Sequence, residues 1–200
     1  MRNLFHSVWR LVTLAVGLAA CHRPCPERKR NYLAPVDSAF TAYFAAYGNG
    51  SYWVYEDSLT ARRDTLFLVD YARNYSDFGE GGCEYGEGIY YRLVSDTTDE
   101  RAGIRVRANG YGNDTGASVG AATGGSYGSF QIRDGRFVVS LPGLSVREEL
   151  TVKGTVYRQV VRLESSSLRP GIVFYWARQV GLVRREGGGS VYNLITYHHQ

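Results

Sequence analysis

Residues 144–164 read LSVREELTVKGTVYRQVVRLE, and this stretch decides the fold class. Both halves are rich in β-branched and aromatic residues, which favour extended strands. Lys153 and Gly154 interrupt the run halfway, and a glycine at such a point allows the chain to reverse tightly. The stretch therefore predicts two long antiparallel strands joined by a short turn.

Similar segments recur through most of the chain after residue 50. They are SYWVYED (51–57), RRDTLFLVDY (62–71), GIRVRA (103–108), RFVVSL (136–141), GIVFYWARQVGLVRRE (171–186) and SVYNLITY (190–197). In GIRVRA, apolar and charged residues alternate, so one face of that strand meets water. Turn signals at intervals of about ten residues predict a mainly β domain, built as a single antiparallel β-sandwich, an open barrel or a strongly curved sheet.

One short N-terminal helix is predicted within VDSAFTAYFAAYG, residues 36–48. Apolar residues recur there at helical spacing, Asp37 or Ser38 can cap the start, and Gly48 can end it. The glycine-rich stretch 109–129 is instead predicted to be a long loop. Residues 36–200 are expected to form one β-rich domain.

The start of the chain carries a different pattern. Residues 11–20, LVTLAVGLAA, contain no charge and follow Arg2 and Arg10. A helix needs about 20 apolar residues to cross a bilayer, so this run is too short to span one. It fits the apolar core of a secretory signal peptide, which is about 7–15 residues long.

The string Leu18-Ala19-Ala20-Cys21 resembles the lipobox of bacterial lipoproteins. This resemblance implies that residues 1–20 are removed as a signal peptide and that Cys21 carries the lipid. Because His22 rather than aspartate follows, it also implies the outer membrane. The basic residues that come next imply a domain that faces the periplasm.

Two further segments are similar to a group of uncharacterised Bacteroidetes lipoproteins. They are GSYWVYEDS (50–58) and VGLVRRE (180–186). The group has no assigned activity, so this resemblance implies a location and no reaction.

Residues 21–35 are predicted to be a flexible tether, since they hold three of the five prolines and little to bury. From Asn31 onward, 17 basic and 18 acidic residues remain, so the excess positive charge belongs to the signal and the tether. A nucleic-acid-binding domain would keep that excess in its folded part. We therefore expect no nucleic-acid partner, and a lipid bilayer engaged through acylated Cys21.

Two cysteines remain once Cys21 is acylated. In an oxidising compartment, Cys25 and Cys83 are candidates for a disulfide that ties the tether to the domain. The alternative is a pair of free thiols, one of which bonds to another protein.

No residue set predicts catalysis, a metal site or a cofactor. His198 and His199 are next to the C-terminus and are interpreted as a solvated end, poorly placed to act as an imidazole base. The acidic stretch 77–88 has oxygen ligands that suit Ca²⁺, but a solvated turn explains it more simply. Glu148 and Glu149 are neighbours on a predicted strand and so face opposite ways, with one of them expected to point inward and to pair with an arginine.

Three functions follow as hypotheses. The leading one is a non-enzymatic, membrane-anchored envelope lipoprotein that binds a ligand or a partner, such as an envelope protein or a glycan. The alternatives are a carboxylate-dependent envelope hydrolase acting on glycans or peptides, and a docking subunit of an outer-membrane assembly. The 16 tyrosines, 8 phenylalanines and 3 tryptophans either form an aromatic binding surface or pack across strands, with Trp53 and Trp176 expected in the core.

Overall fold

The computed structural model describes residues 35–78, 84–97, 103–111, 114–121, 126–138, 143–165 and 171–200. One helix and twelve strands lie within them. In chain order they are α1 (Ser38–Phe44), β1 (Tyr52–Asp57), β2 (Arg63–Phe78), β3 (Glu84–Ser95), β4 (Ile104–Tyr111), β5 (Asp114–Ala121), β6 (Ser126–Arg133), β7 (Arg136–Val138), β8 (Leu144–Val152), β9 (Thr155–Glu164), β10 (Val173–Ala177), β11 (Gly181–Gly187) and β12 (Ser190–His198).

All twelve strands form one antiparallel sheet with the order β7-β6-β5-β4-β3-β2-β1-β12-β11-β10-β9-β8. Strands β7 and β8 are its two edges, yet only residues 139–143 connect them along the chain. The six Cα–Cα steps from Val138 to Leu144 span at most about 22 Å, so the sheet must curl until its edges approach. A contact across the opening between β7 and β8 supports this curvature. The rings of Tyr127 on β6 and Phe174 on β10 are 5.2 Å apart. The prediction of a mainly β, antiparallel domain is confirmed, and its form is a nearly closed, barrel-like sheet.

The interior of this sheet is filled by the helix and by large side chains. Phe44 of α1 is fully buried, and its ring is 5.2 Å from Phe130 on β6 and 5.0 Å from Trp176 on β10. A single helical side chain therefore touches two walls of the curled sheet. Trp53 and Trp176 are 1% and 0% exposed, which confirms the prediction that both lie in the core.

The start of α1 is tied to the surrounding strands. The Asp37 carboxylate accepts hydrogen bonds from the backbone N–H groups of Ala39 and Gly135, at 2.7 and 3.0 Å. The backbone N–H of Asp37 donates to Thr115 Oγ1 on β5, at 2.7 Å. Asp37 is the N-cap, as expected, but the helix ends at Phe44 rather than at Gly48.

The hairpin of β8 and β9 confirms the prediction made from residues 144–164. Lys153 and Gly154 form its turn, and both have a positive φ, of 48° and 83°. Two consecutive residues with positive φ match the right-handed twist of the flanking strands, which is why such turns close two-residue hairpins. Glu148 and Glu149 are both exposed, so neither points inward; Glu149 pairs with Arg158 at 3.3 Å.

The tip of this hairpin crosses the outside of the sheet. Three strands separate β9 from β1, yet Lys153 Nζ lies 2.5 Å from Glu56 Oε1. Glu56 is on the face of β1 opposite to the buried side chains of Trp53 and Tyr55. The hairpin therefore lies over the outer face of β10, β11 and the start of β12, which explains why every residue of β10 is buried.

The glycine-rich stretch 109–129 differs from its prediction. Its described residues form the end of β4, all of β5 and the start of β6. The inward side chains of β5 are Thr115, Ala117 and Val119, and each is buried. Glycines and serines alternate with them on the outer face. The strand therefore has the usual alternation of buried and outward side chains, but its small residues make this alternation hard to see in the sequence.

Candidate functional site

The face of the sheet that looks away from the core carries the candidate site on strands β12, β1, β2, β3 and β4. Strand pairing places four residues in one row across these strands, in the order His198, Tyr52, Phe67 and Val94. The Tyr52 ring stacks on His198 with centroids 5.5 Å apart and lies 6.2 Å from the Phe67 ring. Phe67 is 42% exposed, a large value for a phenylalanine. We call these four residues, His198, Tyr52, Phe67 and Val94, the aromatic row.

Arginines occupy the neighbouring positions of the same face. Arg92 is two residues from Val94 on β3 and pairs directly with Arg105 on β4. Arg107 follows on β4, and its guanidinium lies over the Tyr90 ring at 5.4 Å from the centroid. We call the aromatic row, these three arginines and Tyr90 the outer patch.

The pairing of Arg92 with Arg105 places two like charges side by side. Directly opposed side chains have Cβ atoms about 5 Å apart, and like charges in such pairs destabilise a sheet. Arg92 Nε donates to the Asp70 carboxylate at 2.7 Å, which offsets part of this repulsion. Among the described residues, no carboxylate pairs with Arg105 or Arg107. The patch therefore carries positive charge next to exposed aromatic surface.

A second polar group lies inside the sheet. Asp64 is 2% exposed and forms an ion pair with Arg185, which lies on β11. The hydroxyl of Ser95 donates to the same carboxylate, and that of Thr97 does so at 2.8 Å. The Arg185 guanidinium also lies over the Tyr192 ring, at 4.2 Å from its centroid. This buried charge is held by contacts within the chain.

Asp57 is buried at the end of β1, where it organises the turn into β2. Its carboxylate accepts from Thr60 Oγ1 at 2.8 Å and from the backbone N–H groups of Leu59 and Val191, both at 3.2 Å. The hydrogen bond from Thr60 is the largest cause of a pKa below the ordinary aspartate value, and burial opposes it. These bonds join the β1–β2 turn to β12.

Glu87 is the third buried acid. It is fully buried on β3, pairs with the Arg73 guanidinium, and accepts from the backbone N–H of Val36 at 2.9 Å. Glu87 belongs to the stretch interpreted as a solvated turn or a Ca²⁺ loop. The interpretation as a solvated turn is wrong at this residue, because Glu87 fixes the segment that enters α1.

The C-terminus is packed, so the prediction of a solvated end is also wrong for His199. Its ring lies 5.3 Å from Tyr47 and 5.7 Å from Trp53, and its Nε2 is 3.3 Å from the Val180 carbonyl. Burial lowers the pKa of His199 below its ordinary value of 6.5. The last residue is also anchored, because the N–H of Gln200 donates to Ser51 Oγ at 3.0 Å.

Cys21, Cys25 and Cys83 lie outside the described residues, so lipid attachment and the disulfide stay predictions. Within the described ranges, no three His, Cys, Asp or Glu side chains come together as a metal site. No helix of those ranges is both long and apolar enough to cross a bilayer.

No protein-family model, curated protein or solved structure matches this chain.

Sequence reasoning missed the outer patch because it depends on register. GIRVRA placed Arg105 and Arg107 on one strand face, but which strand lies beside them was unknown. For the aromatic residues, too, the sequence did not show which strands are neighbours. Tyr52 and Phe67 were within predicted strands, and only the pairing of β1 with β2 shows that they share the exposed face.

Proposed function

We propose that this chain is a membrane-anchored envelope lipoprotein whose β domain binds a partner through its outer patch. The anchor is acylated Cys21, and the location is the outer membrane with the domain facing the periplasm. The sequence around residues 18–21 supports the anchor. The exposed aromatic row beside Arg105 and Arg107 is the observation that supports binding.

The arrangement of the buried acids favours binding over hydrolysis. A carboxylate-dependent hydrolase needs two acids that face each other across a substrate cleft, about 5–10 Å apart. Asp57, Asp64 and Glu87 each engage hydrogen bonds or ion pairs within the chain. None of these three buried carboxylates is free of such contacts, which counts against a catalytic role for them.

Detergent phase partitioning of the chain expressed in a bacterium with an outer membrane tests the anchor. Two or three acyl chains hold a protein on a membrane almost permanently, so the wild-type chain should enter the detergent phase. The Cys21→Ala variant should move to the aqueous phase. Cys25→Ala is the matched control and should behave like the wild type.

The anchor proposal fails if Cys21→Ala partitions like the wild type, or if Cys25→Ala moves with it. Labelling with a radioactive fatty acid gives an independent readout, since only chains that retain Cys21 should incorporate the label.

A further inference from the structure

We infer that the outer patch lies on an anionic phospholipid surface, so that the domain contacts the bilayer to which its tether is attached. This inference rests on the proposed lipid anchor and names the partner of the outer patch. In this arrangement Phe67 and Tyr52 enter the headgroup region, while Arg92, Arg105 and Arg107 face lipid phosphates.

Apolar and basic side chains lie next to each other in the outer patch. Surfaces that lie in a membrane interface combine aromatic or aliphatic side chains with arginine or lysine. In the outer patch the two kinds are on adjacent positions, because Val94 continues the aromatic row and Arg92 is two residues away on the same strand face. Two residues along a strand cover about 7 Å, which is short enough for one surface to engage both.

The charge of the outer patch is complementary to that of an anionic lipid surface. The described part of the patch contains three arginines, and Asp70 is the carboxylate that contacts one of them. Phosphatidylglycerol and similar lipids supply the missing negative charge over a wide, flat area. Such a surface relieves the repulsion between Arg92 and Arg105, which otherwise lowers the stability of the sheet.

The length of the tether allows the outer patch to reach the bilayer. The backbone N–H of Val36 is bound to Glu87 on the inner face of β3, and the outer face of the same strand carries Arg92 and Val94. Residues 22–35 are 14 residues long, and a chain of that length reaches at most about 50 Å from Cys21. This reach allows the outer patch to lie flat on the same bilayer, and Arg28-Lys29-Arg30 within it favours an anionic surface.

A lipid surface fits better than a soluble polyanion because Phe67 is exposed beside the arginines. A polyanion neutralises arginines but gains little from an exposed phenylalanine. A headgroup layer accommodates both, since aromatic rings prefer its boundary between polar and apolar regions.

The test is co-sedimentation of the unacylated chain, residues 21–200 with Cys21→Ser, with lipid vesicles. It should bind phosphatidylglycerol vesicles, bind phosphatidylcholine vesicles much more weakly, and dissociate in about 1 M salt, where the Debye length is only about 3 Å. Arg105→Gln with Arg107→Gln should weaken binding roughly 30-fold, since each basic residue near an anionic surface contributes about fivefold. Phe67→Thr should weaken it roughly tenfold.

Matched controls separate the patch from general charge and hydrophobicity. Arg158→Gln with Arg178→Gln removes the same charge elsewhere on the surface, and Val156→Thr removes an exposed apolar group from the β8–β9 hairpin. Both controls should bind like the parent, and thermal unfolding should show every variant folded.

The inference is overturned if the parent does not bind phosphatidylglycerol vesicles, or if the controls weaken binding as much as the patch variants. Binding to a soluble sulfated polysaccharide without vesicle binding also overturns it and assigns the patch to an anionic polymer. Each of these results leaves the phase partitioning of Cys21→Ala unaffected, so the anchor and the patch are tested separately.

Discussion

Lys153 Nζ lies 2.5 Å from Glu56 Oε1, although the two residues are 97 positions apart in the sequence and three strands lie between β9 and β1 in the sheet. This contact holds the β8–β9 hairpin against the outside of the sheet. It divides the outer face into a covered part, over β10, β11 and the start of β12, and the uncovered outer patch, which includes His198 at the end of β12. The outer patch stays accessible to a partner because of this division.

The first prediction concerns that contact. Glu56→Gln removes the charge that holds Lys153. It leaves Lys153 itself, whose positive φ belongs to the turn, unchanged. We expect faster amide hydrogen exchange in residues 147–158, measured by mass spectrometry, with little change elsewhere. Arg158→Gln is the control, because its ion pair with Glu149 lies within the hairpin. Equal exchange in wild type and Glu56→Gln would contradict the proposed role of the contact.

The second prediction concerns the buried pair of Asp64 and Arg185. Asp64→Leu leaves the Arg185 charge buried without a partner, and such changes cost about 3–5 kcal/mol. The double variant Asp64→Leu with Arg185→Leu removes both charges, so it should be more stable than the single variant. Chemical denaturation gives the free energies of unfolding. A double variant that is less stable than Asp64→Leu would show that the pair is not held as described.

The third prediction is a loss of stability in acid that depends on Asp57. Hydrogen bonds, led by the one from Thr60, hold the pKa of Asp57 below its ordinary value near 3.8. The unfolded chain therefore takes up this proton at a higher pH than the folded chain, so stability rises with pH through that window. The contribution is complete above about pH 5 and is lost as pH falls from there through the folded-state pKa.

Asp57→Asn and Thr60→Val should both flatten the acid limb of the stability curve, measured by thermal unfolding between about pH 2 and pH 5. Asparagine keeps an acceptor for the turn, which preserves the fold at neutral pH. Acid limbs of unchanged slope in both variants would mean that Asp57 does not carry this dependence.

The fourth prediction concerns His199. Burial lowers its pKa in the folded state, so the unfolded chain binds a proton near pH 6.5 while the folded chain does so only at lower pH. Stability should therefore fall as pH drops from about 6.5 towards the folded-state pKa. His199→Phe keeps a ring against Tyr47 and Trp53, and should reduce the slope between about pH 7 and pH 5.

His198→Phe is the matched control for that experiment, since its ring lies on the exposed face against Tyr52. A slope that is lost in His198→Phe and retained in His199→Phe would contradict the assignment.

Much of the fold follows from local patterns. The turn at Lys153 and Gly154 and the inward set Ile104, Val106 and Ala108 are as predicted, because period-two burial and turn chemistry act within a few residues. The prediction of a loop at residues 109–129 was wrong because Gly116, Ser118 and Gly120 give no alternation of apolar and polar residues, although their neighbours on β5 are buried. Tertiary pairing with β4 and β6 makes that segment a strand.

The candidate site was much harder to predict. Arg92 and Arg105 are 13 positions apart in the sequence, and only the register of β3 with β4 brings them together. His199 was misjudged for a related reason. Proximity to the chain end suggested exposure, whereas the hydrogen bond from Gln200 to Ser51 closes the C-terminus onto the loop after α1.

The most direct test of the central claim is the depth of position 67 in a membrane. In the acylated chain on phosphatidylglycerol vesicles, Phe67→Trp places a tryptophan in the outer patch, while Trp53 and Trp176 stay buried in the core. Lipids brominated near the headgroup should quench the fluorescence gained with Phe67→Trp, and should not quench that gained with Val156→Trp on the β8–β9 hairpin. Equal quenching at the two positions, or quenching at position 156 alone, would contradict the account.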